Sequence, residues 1–321
     1  MRAMPEVLGR RRRRDRGPTG LAALYPRGFW QGLAGPGLLW LVALFLVPFY
    51  AIVATATGRV DPIFGTALPE WNPLYWQPDA FGYVFHELAA PDGILRIVFL
   101  RTLRYVASAV VLCLVLGYPV AYYMSRLRGR ARNTFLLLMV LPFWVSYLMR
   151  MLAWVNLLQR DGLVNRVLEL TGILEPQRWL EGKSLTVILG LTYGYVPFLI
   201  LPVFAALDRI DRHVVEAALD LGASPARTFV RVTLPLSRQG VLAGTAIITL
   251  PMFGDFYTAQ LLGNLQTSMI GSLVNFYLQG STLGSAQARG AALVVVLAAM
   301  VSLLTVYYLL STARAAREAE R

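Results

Sequence analysis

Long apolar runs separated by polar segments dominate the chain, and they predict six membrane-spanning helices. The runs fall at Gly37 to Thr57, Phe99 to Met124, Asn133 to Leu158, Ser184 to Leu207, Gly240 to Leu262 and Ala288 to Leu310. Each has roughly the 20 residues that cross about 30 Å of hydrocarbon. The expected division is a basic arm over residues 1–32, a six-span domain over 33–312 with a polar insert at 208–239, and a tail over 313–321. The first external loop, about Gly58 to Val98, is long and aromatic, which suits an interfacial belt or a landing surface for an external protein.

Composition agrees with a membrane protein. Apolar residues make up 56% of the 321 and charged residues 15%, too little polar surface for a soluble globular chain of this length. Arginines then set the orientation. Arg10 to Arg14, Arg126 to Arg132, Arg209 to Arg238 and Arg314 to Arg321 all fall on one side of a six-span layout. The positive-inside rule puts that side, with both termini and the polar insert, in the cytoplasm. Topology and anionic lipid headgroups account for the net charge of +12, so no nucleic-acid partner is expected. The arm lacks a clear small-residue cleavage site, and the first span is expected to be retained.

Catalytic chemistry has little to work with. Cys113 is the single cysteine, and His86 and His213 fall on opposite sides of the layout. Neither a metal site nor a cofactor is expected, and no phosphate loop or nucleophile motif suggests an enzyme.

The polar insert carries the most information. A helix from about Arg212 to Leu221 places Val214, Ala217, Ala218 and Leu221 on one side, with Glu216 and Asp220 four apart on another. Gly222 suits the left-handed position that ends such a helix, and Ser224-Pro225 is a cap followed by a first-turn proline. Helix, sharp turn and second helix are therefore expected in immediate succession. Glu216-Ala217-Ala218, then Asp220, Leu221, Gly222 and Ala223, with Leu234-Pro235 further on, resembles the cytoplasmic EAA loop of importer-type ABC transporter permeases. That resemblance implies a docking element that enters a groove on an ATP-hydrolysing subunit.

Further landmarks are similar to the spermidine/putrescine branch of those permeases. They include Gly117-Tyr-Pro-Val-Ala-Tyr122, Leu141-Pro-Phe-Trp-Val-Ser-Tyr-Leu-Met-Arg150, Tyr195-Val-Pro-Phe198 and Met269-Ile-Gly-Ser-Leu273. The likeness covers about residues 95 to 295. It implies an all-α, six-span permease of a bacterial inner-membrane ABC importer. The partners implied are ABC ATPase subunits, a second permease subunit (a different chain or a second copy) and an extracytoplasmic solute-binding protein. Gly280 to Ser285 stands where many members of the branch carry Trp-Pro, which leaves opines, phosphonates, iron or thiamine as alternative cargoes. The competing class is a self-sufficient secondary transporter working through Asp255.

Within the spans, Pro142, Pro197 and Pro251 mark three helices expected to line the pathway. Trp144, Tyr147, Tyr195, Phe198, Phe253, Asp255 and Phe256 are its expected residues. Counted along continuous helices, Arg150 and Asp255 reach about the same depth, roughly 22 to 26 Å from the cytoplasmic face. Two readings follow: an intramembrane ion pair, or Asp255 facing a cationic substrate among aromatic rings.

Overall fold

The computed structural model describes residues 27–172, 175–280 and 283–319. Most of the basic arm, the last two residues of the tail and positions 281 and 282 of the Gly280 to Ser285 segment lie outside them. The chain divides into two units, Met1–Ala51 and Ile52–Arg321.

Helix α1 (Arg27–Ala56) contains Pro36 and Pro48, and in the first unit its Leu38, Trp40 and Phe45 are exposed. An apolar helix that buries so little of itself is matched to lipid rather than to water. Its last turn belongs to the second unit, where Ala54 and Ala56 are buried and Ala54 accepts the Glu70 amide.

The second unit opens with a two-stranded antiparallel hairpin, β1 (Arg59–Val60) and β2 (Ala67–Leu68). The Asp61 carboxylate accepts the amides of Ile63 and Phe64 at 2.7 and 3.1 Å, and Gly65 adopts φ +65° to close the turn. Helix α2 (Asp79–Ala89) follows, and then α3 (Ile94–Arg126), which stays helical through Pro119. Next come α4 (Gly129–Val140), α5 (Tyr147–Leu158), α6 (Leu163–Thr171) and α7 (Ser184–Asp208). The polar insert holds α8 (Arg212–Asp220) and α9 (Pro225–Thr228), joined to α10 (Leu234–Gly254) by a π-helical turn at Phe229–Thr233. Short helices α11 (Tyr257–Leu262) and α12 (Ile270–Asn275) lead to α13 (Gly284–Ala319).

The core lies where α3 packs along α7 and α7 along α10, around Val106, Ala109, Leu191, Leu199, Val203, Ile248 and Met252. Small residues allow the close approach. A Cβ added at Gly240 would lie 2.4 Å from the Ala206 Cβ and 2.7 Å from the Pro202 carbonyl oxygen. The pair Gly190 and Gly194, one turn apart on α7, leaves room for Leu262 and Thr258 at the first and for the Tyr147 ring at the second.

Six continuous spans are not found among the described residues. Four helices are long and apolar enough to cross a membrane, and a pair bent by 88°, Gly129–Trp144 with Tyr147–Thr171, makes a possible fifth crossing. The expected third span, Asn133 to Leu158, breaks at Val145, which is extended, and Ser146, with ψ of 140°, after a 3-10 turn containing Pro142. Proline has no N–H to continue the ladder and its ring crowds the preceding turn. The expected fifth span, Gly240 to Leu262, divides at Asp255, whose ψ of 110° ends α10 before α11 begins.

Substituting Gly240 with Val forces α7 and α10 apart, an overpacking cost of about 1–3 kcal/mol. A lowered thermal midpoint in detergent for Gly240→Val is expected, with no loss for Gly82→Ala, where an added Cβ meets nothing within 4 Å.

Candidate functional site

Two regions carry the functional side chains: the polar insert and the facing breaks in the helices. In the insert, the Asp211 side chain accepts the His213 amide at 3.0 Å and starts α8. At the other end Gly222 takes φ +84°, its amide bonds to the Leu219 carbonyl at 2.9 Å, and the Ala223 amide reaches back to the Ala218 carbonyl at 3.1 Å. These are the two bonds of a Schellman ending, which a left-handed glycine permits. Ser224 then caps the next turn through the Arg227 amide at 3.3 Å, with Pro225 in its first position.

Helix α8 buries no residue fully. Leu221 is 89% exposed, Val214 and Ala217 are exposed, and Ala218 is half-buried. Glu216 is exposed and lies 3.5 Å from His213 Nδ1, while Asp220 projects from the same polar side. Nine residues are too few to hold a helix in water on propensity alone, so the caps at both ends fix its shape. The result is a short, preformed helix that offers small apolar side chains and a carboxylate to whatever meets it.

The second region forms where the broken helices meet. The Asp255 carboxylate is buried, and its Oδ2 accepts the Tyr147 hydroxyl at 2.6 Å and the Thr258 hydroxyl at 2.8 Å. Its Oδ1 accepts the Thr258 amide at 3.0 Å, so Asp255 also caps the start of α11. Hydrogen bonds to a charged acceptor contribute about 1.5–3 kcal/mol each where they form. The Tyr195 ring stands 6.1 Å from the Tyr147 ring and 6.4 Å from Phe198, beside the same carboxylate.

Arg150 meets this cluster only at the Tyr147 ring and not at the carboxylate. Among the described residues the ion pairs are Arg132–Asp208, Arg178–Glu181 and His213–Glu216, and the expected Arg150–Asp255 pair is not formed. Depth counted along continuous helices fails for Arg150, because its span bends by 88° before reaching it, whereas α10 runs unbroken up to Asp255. The Arg150 guanidinium instead lies 5.7 Å from the Phe143 ring centroid and 5.5 Å from that of Tyr147, and its Nε is buried without an acceptor.

The expected pathway residues therefore separate. Tyr147, Tyr195, Phe198 and Asp255 come together, whereas Trp144 is 84% exposed. Phe253 and Phe256 line a different, apolar groove of about 440 Å³ with Leu250, Val274 and Leu297. Sequence reasoning missed Thr258, Gly190 and Gly271, although two signals were present. Gly254-Asp255 reads as a helix stop followed by a cap, and Gly190-x-x-x-Gly194 as a close-packing face.

Residues 113–317, which span the insert and the Asp255 cluster, match the family described as binding-protein-dependent transport system inner membrane component. The chain belongs to that family. This inner-membrane component is 33% identical over 243 residues to the spermidine/putrescine transport system permease protein PotB of Haemophilus influenzae, across 73% of this chain and 78% of that protein. It is also 33% identical over 258 residues to the inner membrane ABC transporter permease protein YdcU of Escherichia coli K12, with the same shares covered. In fold it is similar to a chain of a bacterial alginate ABC transporter crystallised with an alginate pentasaccharide-bound periplasmic protein. The TM-score is 0.66 at 18% identity, covering 88% of this chain and 95% of that one.

Stability measurements on this permease should separate the two polar groups at the breaks. Tyr147→Phe and Asp255→Asn share a hydrogen bond, so their double-mutant cycle should show coupling of about 0.5–3 kcal/mol. Arg150→Ala and Asp255→Asn, linked only through the Tyr147 ring, should couple less than that pair does. Strong coupling in the second cycle would restore the ion pair.

Proposed function

We propose that the chain is the permease subunit of a bacterial ABC importer for a polyamine of the spermidine or putrescine type, driven by ATP hydrolysed on a partner subunit. The carrying observation for the mechanism is the exposed, doubly capped helix Arg212–Asp220, ended by a glycine at φ +84°. Glu216, Ala217, Ala218, Asp220, Leu221, Gly222 and Ala223 are its docking residues. Closure of two ATPase subunits moves this helix, and the movement opens the membrane helices toward an external solute-binding protein. A second permease subunit, either another chain or a second copy, completes the pathway. Both termini and the insert lie on the cytoplasmic side.

Similarity to PotB supports a polyamine cargo, and the chemistry at the breaks suits one. Asp255 among the phenols of Tyr147 and Tyr195 offers a carboxylate and ring faces to an ammonium group. Its lone pairs are already engaged by Tyr147 and Thr258, so an ammonium replaces those hydroxyls as the helices part.

Three measurements test this. Gly222→Val meets no neighbour but must hold a left-handed backbone, at a cost of about 1–2 kcal/mol. It should insert normally and lose uptake; normal uptake would remove the docking assignment. Asp255→Asn should insert normally and lower spermidine and putrescine uptake by about ten-fold, the worth of one charged hydrogen bond. Unchanged uptake would end its substrate role. Cysteines at the exposed positions Arg128 and Ala226 should label from the cytoplasmic side, and one at Leu265, 92% exposed, from outside, with native Cys113 buried and silent.

A further inference from the structure

Both ends of the docking insert are fastened to neighbouring helices. Before it, Asp208 at the end of α7 pairs with Arg132 at 2.8 Å. After it, Phe229 opens the π-helical turn, and its ring meets two rings of α3 edge-on, Tyr118 at 5.8 Å and Tyr122 at 5.4 Å between centroids. Perpendicular aromatic pairs of this kind hold both distance and orientation. The Tyr118 hydroxyl is 2.8 Å from the fully buried Ser237 hydroxyl on α10, and Arg126 donates to the Tyr122 hydroxyl at 3.0 Å. A π-helical turn carries an extra residue in the ladder, a wide turn of the sort that recurs at functional sites. Here it aims Phe229 between two side chains one turn apart on α3.

The opposite end of α3 grips the segment that follows the Asp255 break. The buried Thr102 hydroxyl accepts the Ile270 amide at 2.9 Å, at the start of α12. Arg101 donates to the Ser268 carbonyl at 3.3 Å. Helix α12 in turn presses on the break itself, since a Cβ at Gly271 would lie 2.6 Å from the Gly254 carbonyl oxygen. Between these two grips α3 is an uninterrupted helix whose single proline, Pro119, sits beside the cytoplasmic grip. Helix α7 also leads away from the insert, but it has Pro197 and Pro202 in its interior, which remove two ladder bonds and make it the more compliant.

We infer that Phe229 is a positioning residue for transport: it passes displacement of the docking insert to α3, which delivers it through Thr102 to the Ser268–Ile270 segment against the Asp255 break. The assignment rests on reading residues 208–239 as the docking insert, and the mechanism uses neither Phe229 nor Thr102 to touch substrate.

The test uses the assembled transporter, with its ATPase subunits and binding protein, reconstituted in vesicles. Phe229→Leu keeps the bulk and loses the ring edges; Thr102→Val keeps the shape and loses the acceptor. Each should copurify with the ATPase subunits and hydrolyse ATP at about the normal rate while uptake falls about ten-fold. Phe229→Tyr should restore uptake. Combined, Phe229→Leu and Thr102→Val should be no worse than the lower single variant, because both cut the same connection. Multiplying losses, normal uptake in Phe229→Leu, or loss of ATPase copurification in that variant would each overturn the relay. Failure of the docking assignment is read separately, as normal uptake in Gly222→Val.

Discussion

A polar backbone group released inside a bilayer has no water to turn to, and the two helix breaks of this permease are built around that constraint. At the end of α10 the chain stops being helical, and Asp255 supplies what the geometry removes. One carboxylate oxygen caps the amide of Thr258 on α11 while the other collects two hydroxyls. One of those hydroxyls belongs to Tyr147, the first residue of α5 and thus the start of the other broken span. A side-chain hydrogen bond thus joins the two interruptions. Glycines on α7 then provide the space for this cluster to sit within the core rather than at its edge.

The same constraint explains what the amino-acid pattern reveals and what it hides. Helices α3 and α7 are close to their expected bounds because they are continuous, and a long apolar run can mean little else. The helix, glycine turn and second helix of the insert were legible to within a residue, since caps and left-handed glycines are local chemistry. Hydropathy cannot show a change of direction inside an apolar run. Leu141 to Trp144 and Met252 to Tyr257 are short and flanked by apolar residues, so the breaks there are smoothed over in a window average while Pro142 and Asp255 mark them individually. The ion pair expected of Arg150 and Asp255 was a casualty of that blindness, because depth along a helix has meaning only while the helix continues.

Arg150 illustrates a different kind of illegibility. Its sequence position identifies a costly cation in an apolar setting, yet the rings of Phe143 and Tyr147 that receive it belong to the 3-10 turn and the helix start beside it. Recognition by rings leaves no complementary charge to search for. Pairing rules based on opposite signs therefore point to the wrong neighbour.

Helix α3 has 33 residues, which at about 1.5 Å each makes a rod of roughly 50 Å. Hydrocarbon occupies about 30 Å of that length, so the rod must tilt or extend into the headgroups on both sides. Arg96, Arg101 and Arg104 near one end and Arg126 at the other suit phosphate-level surroundings. Because its ends are fastened to different parts of the protein, the tilt that a given lipid length imposes is also a displacement of those parts relative to each other. Acyl-chain length thereby enters the working geometry of the transporter as a mechanical variable, alongside nucleotide and cargo.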